Sequence, residues 1–494
     1  MENKFEEAVT ITNEIGYVIE IKYPILIVTG LPTVTQNELV LCESGELGQV
    51  FEIKRDKVVI ILFSQELVPI GTRITRLKKP VTFPLTDNML GGIYDPLGNE
   101  IMPRNIAPST QTPIEKKMLN VSGSLQNFRT IKNQFYTGIN IIDMLVPIGK
   151  GQKQLIIGDR KTGKRAVAMQ AARAAMRQGI ITIYAGIGLN AADTQRIYQE
   201  LKSENNMQGA MIIGSNSVNS PGLIFLTPYA AVTVAEIFRD RGNDVLVILD
   251  DLTTHAQIYR ELSLIAGRFP GRESYPGDMF YVHAQLMERA GNYQISPDKE
   301  ASITVLPLVH ISDGELTTYI STNSIGMSDG HIFLDRDLFL RGIRPPVNIG
   351  LSVTRAGKQT QTKLLRDINR QTNSFYAQYT KMQEYSRFGG EMTDNITEIL
   401  AKGERINHFF RHSPDTDYNI KVEVMLFGLI WAEYFVKEKV EKIELARHNL
   451  LIIAAQPDGK AFLNSLTSVN TLEEMIKEIK NVDGPVKKIC ELEQ

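Results

Sequence analysis

Residues 155–165 read Leu-Ile-Ile-Gly-Asp-Arg-Lys-Thr-Gly-Lys-Arg. An apolar strand runs into a glycine loop, and the Ala-, Met- and Gln-rich stretch Lys164 to Gln178 reads as the helix that follows. This order of elements makes a phosphate cradle. Glycines let backbone N–H groups wrap an anion at a helix N-terminus, and a lysine adds a point charge. The full pattern is Gly, four residues, Gly, Lys and then Ser or Thr. Gly158, Asp159, Arg160, Lys161, Thr162, Gly163 and Lys164 satisfy it, Arg165 breaks it at the last position, and Ala166 follows in the first helical turn. The Ser or Thr hydroxyl holds Mg²⁺, and a guanidinium has no acceptor with which to do so. The expectation is an altered phosphate loop, degenerate for Mg²⁺, that is empty or holds ATP or ADP without the metal.

Working outward, Ile181 to Ala185, Ala210 to Gly214 and Val245 to Leu249 read as further strands, separated by helical stretches. Such alternation predicts a parallel sheet covered by helices. The Val245 strand ends at Asp250-Asp251. A carboxylate there holds Mg²⁺ through water in loops of this type, or caps the helix expected over Leu252 to Arg268, and the residues leave both readings open. The strand after the phosphate loop ends in Gly186-Ile-Gly-Leu-Asn190. ATPases built this way often place a glutamate after such glycines, and Leu189 can neither accept a proton nor orient water. The chain is expected to hydrolyse nothing at its own loop.

Before the core, Gly16 to Ile21, Ile25 to Val28, Glu38 to Leu41, Gln49 to Ile53 and Lys57 to Phe63 are rich in β-branched residues. Their spacing predicts a small barrel or sandwich over residues 1–80. Lys78 to Pro84, with two prolines, reads as a boundary. Beyond residue 357 the spacing of apolar residues by three and four predicts helices over Leu364 to Tyr385, Ile396 to Phe410 and Val422 to Phe435. The organisation is therefore a β domain (1–80), a nucleotide-binding α/β core (81–357) and a helical domain (358–494). Lys437 to Glu444 reads as a solvated helix face, Trp431 as helix core, and His283, His310 and His331 as structural rather than metal ligands.

Composition narrows the function classes. The chain has 494 residues, 43% hydrophobic and 22% charged, with a net charge of −2. No whole-chain basic field attracts nucleic acid. Two cysteines, Cys42 and Cys490, make no disulfide framework, which fits a reducing cytoplasm. The acidic N-terminus is no signal peptide. Apolar runs such as Val58 to Phe63 and Leu450 to Ala455 fall far short of the ~18 residues of a spanning helix.

Together the motifs resemble the alpha subunit of F-type rotary ATP synthases, over nearly the whole chain from residue 11. The markers are Gly138-Ile-Asn-Ile-Ile-Asp-Met-Leu-Val-Pro-Ile-Gly-Lys-Gly-Gln152, the phosphate loop, and Asp250-Asp-Leu252. Pro270-Gly-Arg-Glu-Ser-Tyr-Pro-Gly-Asp-Met-Phe-Tyr281, Glu288-Arg-Ala290, Ser328-Asp-Gly330 and Gly342-Ile-Arg-Pro-Pro-Val-Asn-Ile-Gly-Leu-Ser-Val-Thr-Arg355 complete them. The resemblance implies a β-barrel crown, a RecA-like nucleotide core and a C-terminal helical domain. It implies a non-catalytic subunit alternating with a catalytic beta-type chain around a gamma-type rotor, and a cytoplasmic head held at the membrane by its partners. It also implies that Arg355, ending a strand of buried character, reaches as an arginine finger into the neighbour's Mg-ATP site, and that Arg344 and Pro345 flank the adenine pocket.

The departures are specific. Arg165 replaces the family's Mg²⁺-binding Thr, and Lys161 stands where the family has Gln. Two adenine-pocket glutamines align with His412 and Pro414. Glu391 matches a family acid near the rotor. The family's longer amphipathic N-terminal stalk anchor has no counterpart, since strand-like sequence begins near residue 10. Divergent paralogues in some wall-less bacteria drive other mechanical work, including gliding, and this chain resembles such a motor subunit, with its own stalk or motor partners, as much as a synthase subunit. The rival readings are a self-sufficient homohexameric P-loop ATPase and a hexameric nucleic-acid motor. The charge balance and the few aromatics in the first 80 residues disfavour the latter.

Overall fold

The computed structural model describes residues 2–104, 112–119, 125–203, 207–387, 393–411, 418–436 and 438–491. The chain forms two compact units. One comprises Met1–Thr130, Lys150–Arg160 and Ala175–Asp329; the other comprises Ile131–Gly149, Lys161–Ala174 and Gly330–Gln494.

The first unit opens with a helix, α1 (Glu2–Thr12), where the sequence reading has none. Among the described residues its buried apolar face is Phe5 and Ala8, with Thr12 buried beside them, too narrow to stand out among the β-branched residues around it. Tertiary contacts hold it: Glu6 pairs with Arg73 at 2.8 Å, and the Arg73 guanidinium lies 5.2 Å from the centre of the Phe5 ring. A closed six-stranded barrel follows, made of β1 (Gly16–Lys22), β2 (Ile25–Thr29), β3 (Glu38–Cys42), β4 (Leu47–Ile53), β5 (Val58–Leu62) and β6 (Arg73–Pro80). The strand order is β1-β2-β5-β4-β3-β6, and β6 closes the ring on β1. Val18, Leu26, Val28, Val40, Val50, Ile60 and Ile74 fill the interior, and burial pushes the Cys42 thiol up to about 12. The two prolines do not interrupt the ladders as expected. Pro80 ends β6 opposite Glu38, and Pro84 lies in the Thr82–Leu85 strand opposite Glu115. Both are strand-end or edge-ladder positions, where a missing N–H is tolerated.

The central sheet is parallel, as expected. Its strands run in the order Gln154–Asp159, Lys299–Ile311, Val245–Asp250, Ile181–Leu189, Ala210–Asn216, Ile93–Tyr94. Ile156 faces Leu308, Val247 faces Val305, and Ile183 faces both Val247 and Met211. A parallel sheet needs both faces covered. The Pro221–Asp240 helix covers part of one face, and it is long and apolar enough to cross a membrane by length and hydropathy alone. That corrects the reading that no such segment exists. Here 94% of its apolar window is buried inside the protein, so its apolarity answers to the sheet. Gly222 at its start lies so close to β5 that a Cβ would fall 2.5 Å from the Leu62 carbonyl oxygen.

Two buried polar clusters pin this unit. Arg289, 1% exposed, grips Glu236 through two bonds of 2.9 Å and donates to the Met118 carbonyl at 2.7 Å. Burial opposes the Glu236 charge, and the Arg289 guanidinium overrides it, holding that carboxyl below its usual range. His255 and His283 meet at 3.0 Å, and the other nitrogen of His255 lies 3.1 Å from the Phe225 carbonyl. Burial lowers His255 to about 4 and His283 well below the usual imidazole value.

The second unit is mainly helical, with helices Lys363–Arg387, Asp394–Phe410, Ile420–Trp431, Lys442–Ala454, Pro457–Thr467, Leu472–Asn481 and Asp483–Cys490. The third ends at Trp431 rather than Phe435, because Glu433 turns left-handed at φ 71°. Helix begins only at Lys442, so Glu438 to Glu441 lie in turns and not on a helix face. Arg447 and Glu423, both buried, pair at 3.1 Å, and Asn140 donates to Glu423 at 3.2 Å. The short Asn140–Leu145 helix is anchored at its C-terminal carbonyls. Gln361 donates to those of Asp143 and Met144, and Asn369 to those of Met144 and Leu145. These bonds satisfy carbonyls that a helix end leaves without partners.

Two outcomes follow. Arg289→Ala leaves the buried Glu236 carboxylate with only its 3.2 Å pair to Lys116 and costs about 3 kcal/mol in urea denaturation; a loss near 1 kcal/mol refutes the role of Arg289. The His255–His283 pair is neutral when folded, so its contribution is fully present above pH ~6.5 and is lost as pH falls from there towards about 4. The expected slope is ~1.4 kcal/mol per pH unit for each histidine, and the double variant His255→Phe/His283→Leu flattens it.

Candidate functional site

The phosphate loop has the backbone its sequence demands. The Gln154–Asp159 strand runs into a turn in which Lys161 and Gly163 take left-handed φ values of 64° and 90°. Lys164 then starts the Lys164–Arg177 helix, and Val167 N–H donates to the Gly163 carbonyl at 3.1 Å. Thr162 and Lys164 are buried, Arg165 is half-buried, and Arg160, Lys161 and Ala166 are exposed. Asp159 accepts from Gly314 N–H at 3.1 Å, which ties the strand end to the loop after Lys299–Ile311. A helix N-terminus behind such a turn fits a phosphate group.

The residues fit Mg²⁺ poorly. Asp250 accepts from the Tyr184 hydroxyl at 2.6 Å. Asp251 caps the Leu252–Ile265 helix by accepting from Thr254 N–H at 2.6 Å, and it meets His310 Nε2 at 2.7 Å. Of the two open readings of this pair, capping describes Asp251. Among the described residues no group of three or more His, Cys, Asp or Glu side chains could hold a metal ion. Leu189 ends its strand half-buried, and its side chain has no group that could orient water.

Arg355 follows the two-residue strand Val353–Thr354, whose pattern is exposed then buried. The strand is thus less buried than its sequence suggests, and Arg355 itself is exposed. Its neighbours are fixed. Thr354 Oγ1 donates to the Pro147 carbonyl at 2.8 Å and accepts from Gly357 N–H at 3.1 Å. Gly357 packs so tightly that a Cβ would fall 1.7 Å from the Pro147 oxygen. Burial lowers His331 below the usual imidazole range, and the Arg355 charge adds to this.

Arg344 stacks over Phe339 at 3.5 Å and donates to the Phe339 and Ile343 carbonyls at 2.6 and 2.8 Å. Pro345 lines a cavity of about 530 Å³ together with Ile141, Arg341, Tyr376, Gln383 and Phe410, and Arg344 is not part of its wall. His412, Pro414 and Glu391 lie outside the described residues. Sequence reasoning missed the Pro147–Thr354–Gly357 clamp, since nothing local links residues so far apart. It also missed the His310 contact to Asp251.

Residues 138–354 match the ATP synthase alpha/beta family, nucleotide-binding domain, and residues 361–482 match the ATP synthase alpha/beta chain, C terminal domain. An ATP synthase subunit alpha of Neorickettsia sennetsu is 34% identical over 452 residues, covering 89% of this chain and 87% of that protein. The chain belongs to the ATP synthase alpha-subunit family. ATP synthase subunit alpha 1 of a Marinomonas species is 33% identical over 436 residues, covering 87% and 84% of the two chains. ATP synthase subunit alpha 2 of Gluconobacter oxydans is 35% identical over 417 residues, covering 84% and 81%. Within this alpha-family chain, Arg355 falls between the two matched regions, on the turn that Gly357 locks.

Gly357→Ala forces the Pro147 carbonyl and the Arg355 turn apart. The expected cost is about 1–3 kcal/mol in denaturant unfolding, and an unchanged midpoint refutes the clamp.

Proposed function

We propose that this chain is the non-catalytic alpha-type subunit of a hetero-hexameric rotary ATPase. It alternates with a catalytic beta-type chain around a gamma-type rotor, with a barrel crown to about residue 80, a nucleotide core to 357 and a helical domain beyond. Arg355 enters the neighbouring Mg-ATP site as an arginine finger and offsets charge on the transferring phosphoryl group. The observation that carries this reading is an exposed arginine on a turn whose Thr354 bonds to the Pro147 carbonyl and whose Gly357 packs against that carbonyl and donates to Thr354. A finger must arrive in place without ordering its backbone first, because catalysis by positioning is lost with small displacements.

The chain's own loop holds ATP or ADP and does no chemistry. Leu189 offers nothing to orient water, and Arg165 stands where the metal-binding hydroxyl belongs. The head sits in the cytoplasm, attached to the membrane through partner subunits, and takes no nucleic acid.

Arg355→Ala in the reconstituted hexamer is expected to lower turnover by about 10³-fold or more while assembly is unchanged. Near-normal turnover rejects the finger. Steady hydrolysis by the purified chain alone favours a homohexameric enzyme instead. Proton-channel and stalk subunits copurifying with the head assign it to synthesis, and filament or surface proteins assign it to a dedicated motor such as gliding machinery.

A further inference from the structure

The cavity of about 530 Å³ is not absorbed by the nucleotide reading. Its wall lies wholly within the second compact unit. Its volume falls in the range of about 300–1,000 Å³ that small-molecule sites occupy. The Lys363–Arg387 helix brings Tyr376, Tyr379, Gln383 and Glu384 to it, and the Asp394–Phe410 helix brings Asn407 and Phe410. Ile141, Leu338, Ile343 and Val347 add apolar surface. Apolar and aromatic walls with a few convergent polar groups are what such sites are made of.

The polar groups of the wall have a common bias. Their amide donors are turned onto the protein. Asn373 donates to the Asn369 carbonyl at 2.8 Å and to its side-chain oxygen at 2.7 Å, and Asn348 donates to Asp335 at 2.8 Å. Asn407 and Gln383 both donate to the Tyr379 hydroxyl oxygen, at 3.1 and 2.6 Å, and the Tyr376 hydroxyl donates to Asn407 at 2.7 Å. What such a wall offers a ligand is oxygen. Its charge runs the same way: the carboxylates Asp335, Asp337 and Glu384 stand against one guanidinium, Arg341. Asp335 is committed to capping, since it accepts from the N–H groups of Asp337 and Leu338 at 2.7 and 3.3 Å. Asp337 and Glu384 are exposed.

We propose that this cavity binds a small organic cation, an amine on an aromatic or apolar body, whose charge is met by Asp337 and Glu384. The body packs among Tyr376, Tyr379 and Phe410, and the ammonium brings the N–H donors and positive charge that the wall lacks. A nucleotide brings the opposite charge, and the acidic wall repels it. The site is therefore separate from the phosphate loop and does not depend on that loop being occupied.

The test is calorimetric titration of the full-length chain with three indoles of similar shape and different charge: tryptamine (cationic), tryptophol (neutral) and indole-3-acetate (anionic). Tryptamine is expected to bind about tenfold more tightly than tryptophol, the gain from one charge-assisted hydrogen bond, and indole-3-acetate is expected to bind most weakly. Equal affinities overturn the charge assignment, and no binding of tryptamine overturns the site. The double variant Asp337→Asn/Glu384→Gln, with its fold checked by circular dichroism, is expected to bring tryptamine down to the affinity of tryptophol. A preference for the cation that survives in this variant overturns the role of the two carboxylates. Ala377→Trp places a large side chain on the cavity wall and is expected to abolish binding; unchanged affinity there puts the ligand elsewhere and overturns the cavity. Saturating ATP is expected to leave the tryptamine affinity unchanged, and competition between the two overturns a site separate from the nucleotide.

Discussion

A parallel ladder has no face it can show to water. From Gln154–Asp159 across Lys299–Ile311 and Val245–Asp250 to Ile181–Leu189, each strand gives up its backbone N–H and C=O groups to its neighbours and its side chains to covering helices. That constraint explains the Pro221–Asp240 helix, predominantly apolar because it is buried on nearly every side. It explains why Gly222 carries no side chain where that helix meets β5. Buried charge and imidazole inside the unit are matched at close range, Glu236 with Arg289 and His255 with His283. Asp159 and Asp250 stand at strand ends.

The proposed non-catalytic role rests on single residues set in an otherwise ordinary phosphate-loop frame of strand, turn and helix. Arg165 replaces a hydroxyl, and Leu189 stands where an acid is needed. The carboxylates left at the strand end serve the scaffold, one capping a helix and one bonded to Tyr184. Arg355 lies in the second unit, on a turn whose Thr354 bonds to the Pro147 carbonyl and accepts from Gly357 N–H.

Most elements were legible because their signals are local. The loop glycines, the alternating strands and the long amphipathic helices each announce themselves within a few residues. What was not legible depends on distant partners. Helix α1 has a two-residue apolar face and is held by Arg73. Pro80 and Pro84 read as breaks because edge ladders tolerate them only in a tertiary setting. The apolar stretch 221–240 escaped notice because Thr, Pro and Tyr divide it into short runs. At the site, residue identities were readable, including the missing hydroxyl. Which of Asp250 and Asp251 was committed, and to what, was not, since Tyr184 and His310 come from neighbouring strands.

The anchoring of the short Asn140–Leu145 helix has a mechanical meaning. Its last carbonyls are gripped by Gln361 and Asn369, and two residues later the Pro147 carbonyl grips Thr354. Asn369 belongs to the Lys363–Arg387 helix, so the root of that long rod and the base of Arg355 hang from one peg. The rod and the base of Arg355 are therefore tied within four residues of one another, through side-chain bonds to the consecutive carbonyls that close and follow one short helix.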